Sequence, residues 1–265
     1  MPESSNIRLE KAVEAIGPIS LEEMEGVKLL NRIDTKYLTN EEGLVHVLKD
    51  AAAAGYRALV VEGKKMSRYT SVYYDTDGLR MFLDHHNRHL VRQKVRTRTY
   101  VESGETYLEI KRKNNHGRTK KKRMEIPARE LMDFGADASA CEFLAAKSWF
   151  TVEQLSPVLD TRFRRITLVN PAMTERLTID TELCFTNFRT GHETDLQDAV
   201  IIELKQDGRA RSQMKGILLD HRIKPVRVSK YCIAETLTDP SVKSCRFKEK
   251  VRKIEKTIGN KLTVK

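Results

Sequence analysis

Charged side chains alternate with residues that favour β-strands in two neighbouring segments, 94–100 and 107–113. They occupy every second position: Lys94, Arg96 and Arg98 in the first segment, and Glu109, Lys111 and Lys113 in the second. Because successive side chains point to opposite faces of a strand, each set shares one face. Like charges on one face repel each other, so this face is either solvated or built to hold a strongly anionic group.

Similar patterns predict about eight strands along the chain. They cover residues 31–39, 68–75, 90–101, 105–113, 118–126, 158–169, 175–181 and 199–205. A lone acid recurs among the bases of these strands, at Asp34, Glu109, Asp180 and Glu203. An antiparallel sheet with one solvated face explains this pattern, and so does a barrel with the charged face in its lumen.

Apolar periodicity predicts helices between and around the strands. They cover residues 1–27 with a break at Gly17–Pro18, 41–54 after the N-cap Asn40, 128–155, 209–221 and 229–237. The basic tail, 241–265, carries Phe247, Val251, Ile254 and Ile258 at spacings of four, three and four residues, which places them on one helical face. We expect that face to dock on the sheet; the alternative is a frayed, solvated tail.

The charge balance points to an anionic partner. Lys and Arg number 48 against 37 Asp and Glu, so the 265-residue chain carries a formal charge of +11. A hydrophobic content of 40% is too high for a disordered basic protein, and the length allows one large domain or two small ones. No repeat or low-complexity linker marks a domain boundary.

The four cysteines are far apart and form no CxxC pair, which favours reduced, buried thiols in a cytoplasmic protein over a disulfide or zinc framework. The first 18 residues lack the apolar core of a signal peptide. No apolar run has the length of a membrane-spanning helix. We therefore expect a cytoplasmic protein that meets a membrane only through a partner.

Several phosphate and metal motifs are missing from the sequence. It has no P-loop, no dinucleotide-binding glycine pattern, no protein-kinase signature and no HExxH. His85, His86 and His89 cluster at the end of a predicted helix, where an exposed polar turn explains them better than a metal site. A phosphate-binding enzyme of this kind must use side chains rather than a glycine-rich loop.

A set of motifs in a fixed order carries a family resemblance. The set is NRIDTKYLT, SVYYDTDGLRMF, KVRTRTY, YLEIKRK, FRRITL, RLTIDTEL, IIELK and RVSKY, which together span about residues 28–237. It resembles the VTC domain, the polyphosphate polymerase domain of the vacuolar transporter chaperone complex. That family belongs to the triphosphate tunnel metalloenzymes, which are related to the CYTH-type triphosphatases.

The resemblance implies an α+β fold, an eight-stranded antiparallel tunnel barrel with peripheral helices. It also divides the chain into a helical lead-in (1–27), the tunnel domain (28–240) and a basic C-terminal helix (241–265).

The resemblance assigns candidate roles to individual residues. The phosphate-binding catalytic residues would be Lys36, Arg96, Arg98, Lys111, Arg165, Arg176 and Lys230. Further substrate contacts would come from Lys94, Lys113, Lys205, Arg227 and Ser229, although Arg227 stands where the family commonly has lysine. Glu203 matches the metal-binding glutamate for Mn²⁺ or Mg²⁺, and Glu109 is a second candidate ligand. The first strand reads Arg32, Asp34, Lys36 where CYTH triphosphatases have E-x-E-x-K, and the loss of that first carboxylate favours a polymerase over a hydrolase.

The implied function is transfer of the ATP γ-phosphate to a growing polyphosphate chain, with ATP and inorganic polyphosphate as partners. One alternative is a triphosphatase or nucleoside triphosphatase on the same fold. Another is a non-catalytic binder of polyphosphate or nucleic acid, suggested by the basic segment 111–123. Aromatic residues make up only 6% of the chain and do not interleave with that segment, so we expect a solvated hairpin and no dedicated nucleic-acid partner. The oligomeric state is left open.

Overall fold

A computed structural model describes residues 5–27, 32–208 and 210–264 of the chain. The starts of three predicted elements, at residues 1, 31 and 209, lie outside the described residues, as does the predicted domain start at residue 28. The strands, in chain order, are β1 (Gly17–Ile19), β2 (Arg32–Asn40), β3 (Arg57–Leu59), β4 (Met66–Asp75), β5 (Arg92–Tyr100), β6 (Thr106–Lys113), β7 (Thr119–Ile126), β8 (Ser156–Val169), β9 (Glu175–Asn187), β10 (Glu193–Asp195) and β11 (Ala199–Asp207).

The helices lie between these strands and after them. They are α1 (Ser5–Glu14), α2 (Leu21–Glu25), α3 (Glu41–Ala53), α4 (Arg80–His86), α5 (Ala138–Lys147), α6 (Gln213–Asp220), α7 (Lys230–Thr238) and α8 (Lys248–Ile258). Two 3₁₀ turns occupy Ala128–Leu131 and Val152–Gln154. Within the described ranges, no helix combines the length and apolar character that crossing a membrane requires.

Eight strands form one curled antiparallel sheet in the order β2-β11-β9-β8-β4-β5-β6-β7. The short strands β1, β3 and β10 extend this sheet at its sides. The curl gives the sheet a concave and a convex face, in the form of a half-barrel. This confirms the predicted α+β fold with an eight-stranded antiparallel sheet and peripheral helices.

Apolar clusters cover the convex face. Helices α1, α3 and α6 pack on β2, β11, β9 and β8, with Leu48 of α3 and Leu204 of β11 fully buried. Helix α5 packs on β6 and β7, and its Leu144 lies in one apolar cluster with Val95 of β5 and Ile110 of β6. Because side chains alternate along each strand, burying these residues turns their charged neighbours toward the concave face.

A further apolar cluster fills one end of the concave face. Leu38 of β2 and Ile201 of β11 pack there with Tyr231 of α7 and with Ile254 and Ile258 of α8. Phe247, just before α8, is 2% exposed, and Val251 is partly buried in the same cluster. The predicted docking of the tail through one apolar face is confirmed. The rest of the concave face is left for the charged residues.

Some expectations about local structure are wrong. The segment 128–155 is not one helix, because Asp137 accepts hydrogen bonds from the backbone N–H groups of Ser139 and Ala140 and so starts a new helix, α5. Strand β9 continues past residue 181, since a β-bulge at Glu182, with φ of 50°, shifts the alternation and hides the continuation from a period-two pattern.

The histidine and cysteine expectations also need correction. His86 is not in an exposed turn: it is 1% exposed and packs on the ring of Phe247. His85 is partly buried and contacts the thiol of Cys232. Only Cys232 of the four cysteines is buried, and Cys245 is exposed. Helix α4 therefore contributes to the core instead of presenting a polar end.

The burial of Phe247 leads to a testable stability effect. The substitution Phe247→Ala would leave a cavity beside the rings of Phe82 and His86, which pack on Phe247. We expect the free energy of unfolding to fall by about 3–5 kcal/mol, the usual range for a buried phenylalanine. Urea unfolding measures it, with Lys253→Ala, on the exposed side of α8, as the control. A Phe247→Ala midpoint equal to that of the wild type would contradict the docked tail.

Candidate functional site

The sheet register gathers bases on the concave face from strands far apart in sequence. On β11, Glu203 lies between Lys36 of β2 and Thr178 of β9, and on β5, Arg96 lies beside Glu109 of β6. Among the bases on this face are Lys36, Lys205, Arg176, Arg165, Lys94, Arg96, Arg98, Lys111 and Lys113, and Lys230 reaches it from α7. We call this set the cation cluster.

One part of the cation cluster is organised by Glu109. Its carboxylate is fully buried and accepts hydrogen bonds from Arg96 at 2.8 and 2.6 Å and from Lys121 at 2.9 Å. Burial would raise the pKa of Glu109, but Arg96, Arg98 and neighbouring lysines hold it well below its usual range. Arg96 also donates to the Tyr73 hydroxyl at 3.1 Å. Glu109 thus fixes the direction of two bases in the site.

A second part is organised by Asp180 of β9. Arg165 donates two hydrogen bonds to its carboxylate, at 2.6 and 2.9 Å, and Lys230 donates to the same group. Asp180 is 3% exposed, and despite burial these two bases keep its pKa well below the usual range. Burial lowers the pKa of Lys230 to about 8, although Asp180 opposes that shift. Asp180 therefore holds a guanidinium and an ammonium group side by side.

Aromatic rings support the bases in the middle of the cluster. The rings of Tyr69 and Phe163 stack with centroids 5.3 Å apart. Arg165 lies 4.8 Å from the Tyr69 centroid, Arg98 lies 5.3 Å from it, and Lys230 lies 4.5 Å from the Phe163 centroid. Cations over aromatic faces are stabilised there without losing their outward hydrogen-bond donors. The rings therefore fix the bases while leaving donors for an anion.

Burial also acts on Arg98 directly. It lowers the pKa of Arg98 to about 10, with Arg96 and Arg165 adding to the shift, so the guanidinium still carries its charge at neutral pH. Ser71 of β4 accepts a hydrogen bond from Arg98 Nε at 2.8 Å. Arg96 and Arg98 are 7% and 5% exposed. Glu109 neutralises Arg96, whereas among the described residues Arg98 has only the neutral Ser71 as its hydrogen-bond partner. Burying such a charge costs free energy of folding unless an anion binds next to it.

The segment Val228–Lys230 crosses the open side of the half-barrel. Lys36 of β2 donates to the Val228 carbonyl at 3.0 Å, and Lys94 of β5 donates to Ser229 Oγ at 2.8 Å. Ser229 also caps α7, accepting from the backbone N–H of Cys232, so Lys230 stands in the first turn of that helix. The crossing joins two strands that lie far apart in the sheet order and encloses the cation cluster from that side.

Glu203 is more exposed than the other two acids that contact the cation cluster, Glu109 and Asp180. Its side chain is 26% exposed, and the contact to Lys205 is 3.3 Å long. Burial would raise the pKa of Glu203, but Lys205, Lys36, Arg165 and Lys111 keep it well below its usual range, so the group is ionised. In the described part of the chain, no three His, Cys, Asp or Glu residues are grouped so as to hold a metal ion.

The carboxylate oxygen atoms of the site suit Mg²⁺ or Mn²⁺. Mg²⁺ and Mn²⁺ take oxygen ligands and are often held by one or two carboxylates together with phosphate oxygens. The ionised, partly exposed Glu203 suits that role, whereas both oxygens of Glu109 already accept hydrogen bonds from bases. The assignment of Glu109 as a metal ligand stays a prediction.

Comparison with known proteins decides the family. The VTC domain profile matches residues 31–238, which is most of the chain. The chain belongs to the VTC domain family. A search of curated proteins finds no match.

The chain is similar to several solved structures. A putative adenylyl cyclase from Hippeastrum, described as having a dominant triphosphatase activity, is 14% identical with a TM-score of 0.50, over 77% of this chain and 95% of that one. A putative adenylate cyclase from Bacillus halodurans is 14% identical with a TM-score of 0.49, over 76% and 96%. One from Vibrio parahaemolyticus is 10% identical with a TM-score of 0.46, over 76% and 96%. At such identities the Hippeastrum protein supports the fold alone.

Other candidate substrate-binding residues of the VTC domain lie at the edges of the cation cluster. Arg176 has a buried Nε with no hydrogen-bond partner among the described residues. Burial and the nearby Arg92 and Arg227 lower the pKa of Lys113. Arg227 itself is exposed, so it stands at the mouth of the site and not within it. The roles of all these residues stay predictions.

The structure adds residues that the sequence patterns did not single out as site residues. They are Asp180, Tyr73, Tyr69, Phe163, Ser71 and Lys121, which hold or support the bases of the cation cluster. The sequence pattern marks Asp180 as a possible site residue, because it is one of the lone acids that alternate with bases along their strands. No pattern marks the aromatic residues, since strands rich in tyrosine and phenylalanine are equally typical of a core.

Proposed function

We propose that this VTC domain is a metal-dependent polyphosphate polymerase, which transfers the γ-phosphate of ATP to a growing polyphosphate chain. The observation that carries the proposal is the enclosed cation cluster, in which Arg96, Arg98 and Arg165 are fixed by Glu109, Ser71 and Asp180 with donors left over. Phosphoryl transfer needs mainly alignment and charge neutralisation from the protein, and fixed guanidinium groups supply both.

The proposed reaction is the transfer of one phosphoryl group from ATP to the end of a phosphate chain. A terminal phosphate oxygen of the chain forms a bond to the γ-phosphorus, the bond from that phosphorus to the β–γ bridging oxygen breaks, and ADP leaves with the electron pair. Arg96, Arg165 and Lys230 are suited to bind the phosphate oxygens and to stabilise the charge that spreads over them in the transition state. The crossing segment Val228–Lys230 limits the access of water on one side, which favours a phosphate chain as the acceptor.

The metal has a defined place in this proposal. Glu203 would hold Mg²⁺ or Mn²⁺ together with oxygens of the substrate, because it is ionised, partly exposed and less occupied by hydrogen bonds than Glu109 or Asp180. When bound, the cation neutralises phosphate charge and orients the triphosphate. Lys205 and Lys36, beside Glu203, add positive charge at the same point.

A triphosphatase is the second candidate. It is supported by the Hippeastrum fold relative, which is described as having a dominant triphosphatase activity. Against it stands the first strand, where Arg32 replaces a carboxylate and its Nε lies 2.6 Å from Asp34. That ion pair occupies the remaining acid of the strand, so fewer carboxylates are available for a hydrolase-type metal site.

Product analysis separates these candidates. Incubation with ATP and Mn²⁺, followed by sizing of the products on a gel, is expected to give a ladder of long phosphate chains together with ADP. Orthophosphate alone would assign the site to hydrolysis. Binding of polyphosphate without any turnover of ATP would leave a non-catalytic polyanion binder.

The pKa of Lys230 leads to a pH prediction. As the pH rises through about 8, Lys230 loses its positive charge, so ATP binding without metal is expected to weaken. Tyr73 acts in the same direction: burial raises its pKa, but Arg96, Lys94 and Arg98 outweigh that and lower it to about 8, which adds a negative charge over the same range. Calorimetry from about pH 7 to about pH 9.5 measures the effect.

Two variants identify the titrating groups. Lys230→Arg keeps its charge throughout this range, so it should weaken the pH dependence, and Lys230→Arg with Tyr73→Phe should weaken it further. An ATP affinity of the wild-type protein that stays constant over the whole range would contradict the assignment of these two groups to the site.

A further inference from the structure

Three exposed apolar side chains lie near the start of β5, at one corner of the sheet. Leu90 is 59% exposed, Val91 49% and Trp149 45%. Leu90 and Val91 directly precede β5. Trp149 is held beside that strand by Gln93, whose side-chain oxygen accepts a hydrogen bond from the Trp149 backbone N–H at 3.2 Å. Large apolar groups that are exposed together indicate a surface for contact with a partner.

Bases stand among these apolar groups on the convex face. The guanidinium of Arg112 lies 4.8 Å from the centroid of the Trp149 indole. In the sheet register Arg112 faces Gln93 of β5 and Lys120 of β7, and Lys122 lies on the same face of β7. Lys120 and Lys122 are exposed. Among the described residues, no ion pair involves Arg112, Lys120 or Lys122. We call Leu90, Val91, Trp149, Arg112, Lys120 and Lys122 the outer corner.

We propose that the outer corner docks the protein on the surface of an anionic lipid membrane. Tryptophan is the side chain most typical of the membrane interface, and its neighbours Leu90 and Val91 can enter the same layer. Unpaired lysines and arginines next to it are attracted by the negative surface potential of anionic lipids. The corner thus offers both kinds of contact that peripheral membrane binding requires.

A free polyanion fits the outer corner less well. Polyphosphate offers nothing for Leu90 and Val91 to contact, so their exposure would have no counterpart. In a nucleic acid, bases could stack on Trp149, but Arg112 already covers one face of the indole. The apolar half of the corner therefore favours a lipid surface.

The docking would leave the cation cluster accessible. Side chains alternate along β6, so Arg112 belongs to the convex face whereas Lys111 and Lys113 belong to the concave one. A membrane against the outer corner would face the back of β5–β7, with the cation cluster turned away from the lipid. This inference does not depend on the proposed polymerase activity.

Sedimentation with vesicles tests the docking. The full chain is mixed with vesicles of phosphatidylcholine alone or with about 30% phosphatidylglycerol, and the bound fraction is measured. We expect binding to the anionic vesicles only. Leu90→Asp with Val91→Asp, and separately Lys120→Glu with Lys122→Glu, should each lower the partition constant by about tenfold or more. Leu219→Asp, which changes an apolar residue 70% exposed on α6, should leave it unchanged.

Each other outcome overturns the proposal. A thermal unfolding temperature equal to that of the wild type shows that each variant is folded. Absence of binding to anionic vesicles by the wild-type protein, or unchanged binding by Leu90→Asp with Val91→Asp, would remove the membrane role. If Lys120→Glu with Lys122→Glu instead abolished binding of polyphosphate or RNA, with vesicle binding absent, the outer corner would be a polyanion site.

Discussion

Glu203→Gln is expected to lower the turnover of ATP by about 10³-fold while leaving the fold intact. Gln is close to Glu in shape but carries no charge, so it cannot replace an ionised carboxylate as the ligand of a hard cation. Glu203 is 26% exposed and has one long contact, to Lys205, so its loss should change the unfolding temperature little. The measurement pairs steady-state rates at saturating Mn²⁺ with thermal unfolding.

The same substitution on the convex face is the control for Glu203→Gln. Glu182→Gln removes an acid paired with Arg164 at 3.1 Å on the outside of the sheet, and it should keep wild-type turnover. If Glu203 only balances the charge of Lys205, Glu203→Gln would instead change stability and leave turnover near normal. Wild-type activity in Glu203→Gln would exclude a metal-holding role.

Arg165→Lys is expected to lower kcat/KM for ATP by about 100-fold. Lysine keeps the positive charge but lacks the planar fork that makes two hydrogen bonds to Asp180 at 2.6 and 2.9 Å. It therefore loses the fixed direction that leaves donors for a phosphate. The position of Lys230, which shares Asp180 with Arg165, should change as well, so the effect should exceed that of one hydrogen bond.

The adjacent residue supplies the matched control for Arg165→Lys. Arg164 points to the convex face, where it pairs with Glu182 and Glu10, so Arg164→Lys makes the same chemical change one residue away. We expect that variant to retain at least most of the activity. Equal losses in Arg164→Lys and Arg165→Lys would indicate a general effect on the sheet and contradict a specific role for Arg165.

Much of the fold follows from alternation along the strands. Lys94, Arg96 and Arg98 share a face because side chains alternate, and the burial of Val95 in the core decides which face that is. The helix starts at Asn40 and Ser229 follow from capping chemistry that is local in sequence. Such features depend on a few neighbouring residues, so the sequence alone predicts them.

Features that depend on distant pairing were not predictable. The bulge at Glu182 arises where β9 meets β8, and nothing near Glu182 in sequence marks it. Lys94 and Ser229 lie 135 residues apart, and their contact exists only because the segment after Ile223 crosses the half-barrel. For the same reason the ion-pair partners of Glu109 and Asp180 could be read only from the folded sheet.

A crystal structure of the protein with bound tripolyphosphate and Mn²⁺ would show whether the cation cluster is the substrate site. We expect phosphate oxygens within hydrogen-bonding distance of Arg96, Arg165 and Lys230, with the metal between Glu203 and the phosphates. Tripolyphosphate bound instead to Arg112, Lys120 and Lys122 on the convex face, with the cation cluster unchanged, would contradict the proposed site.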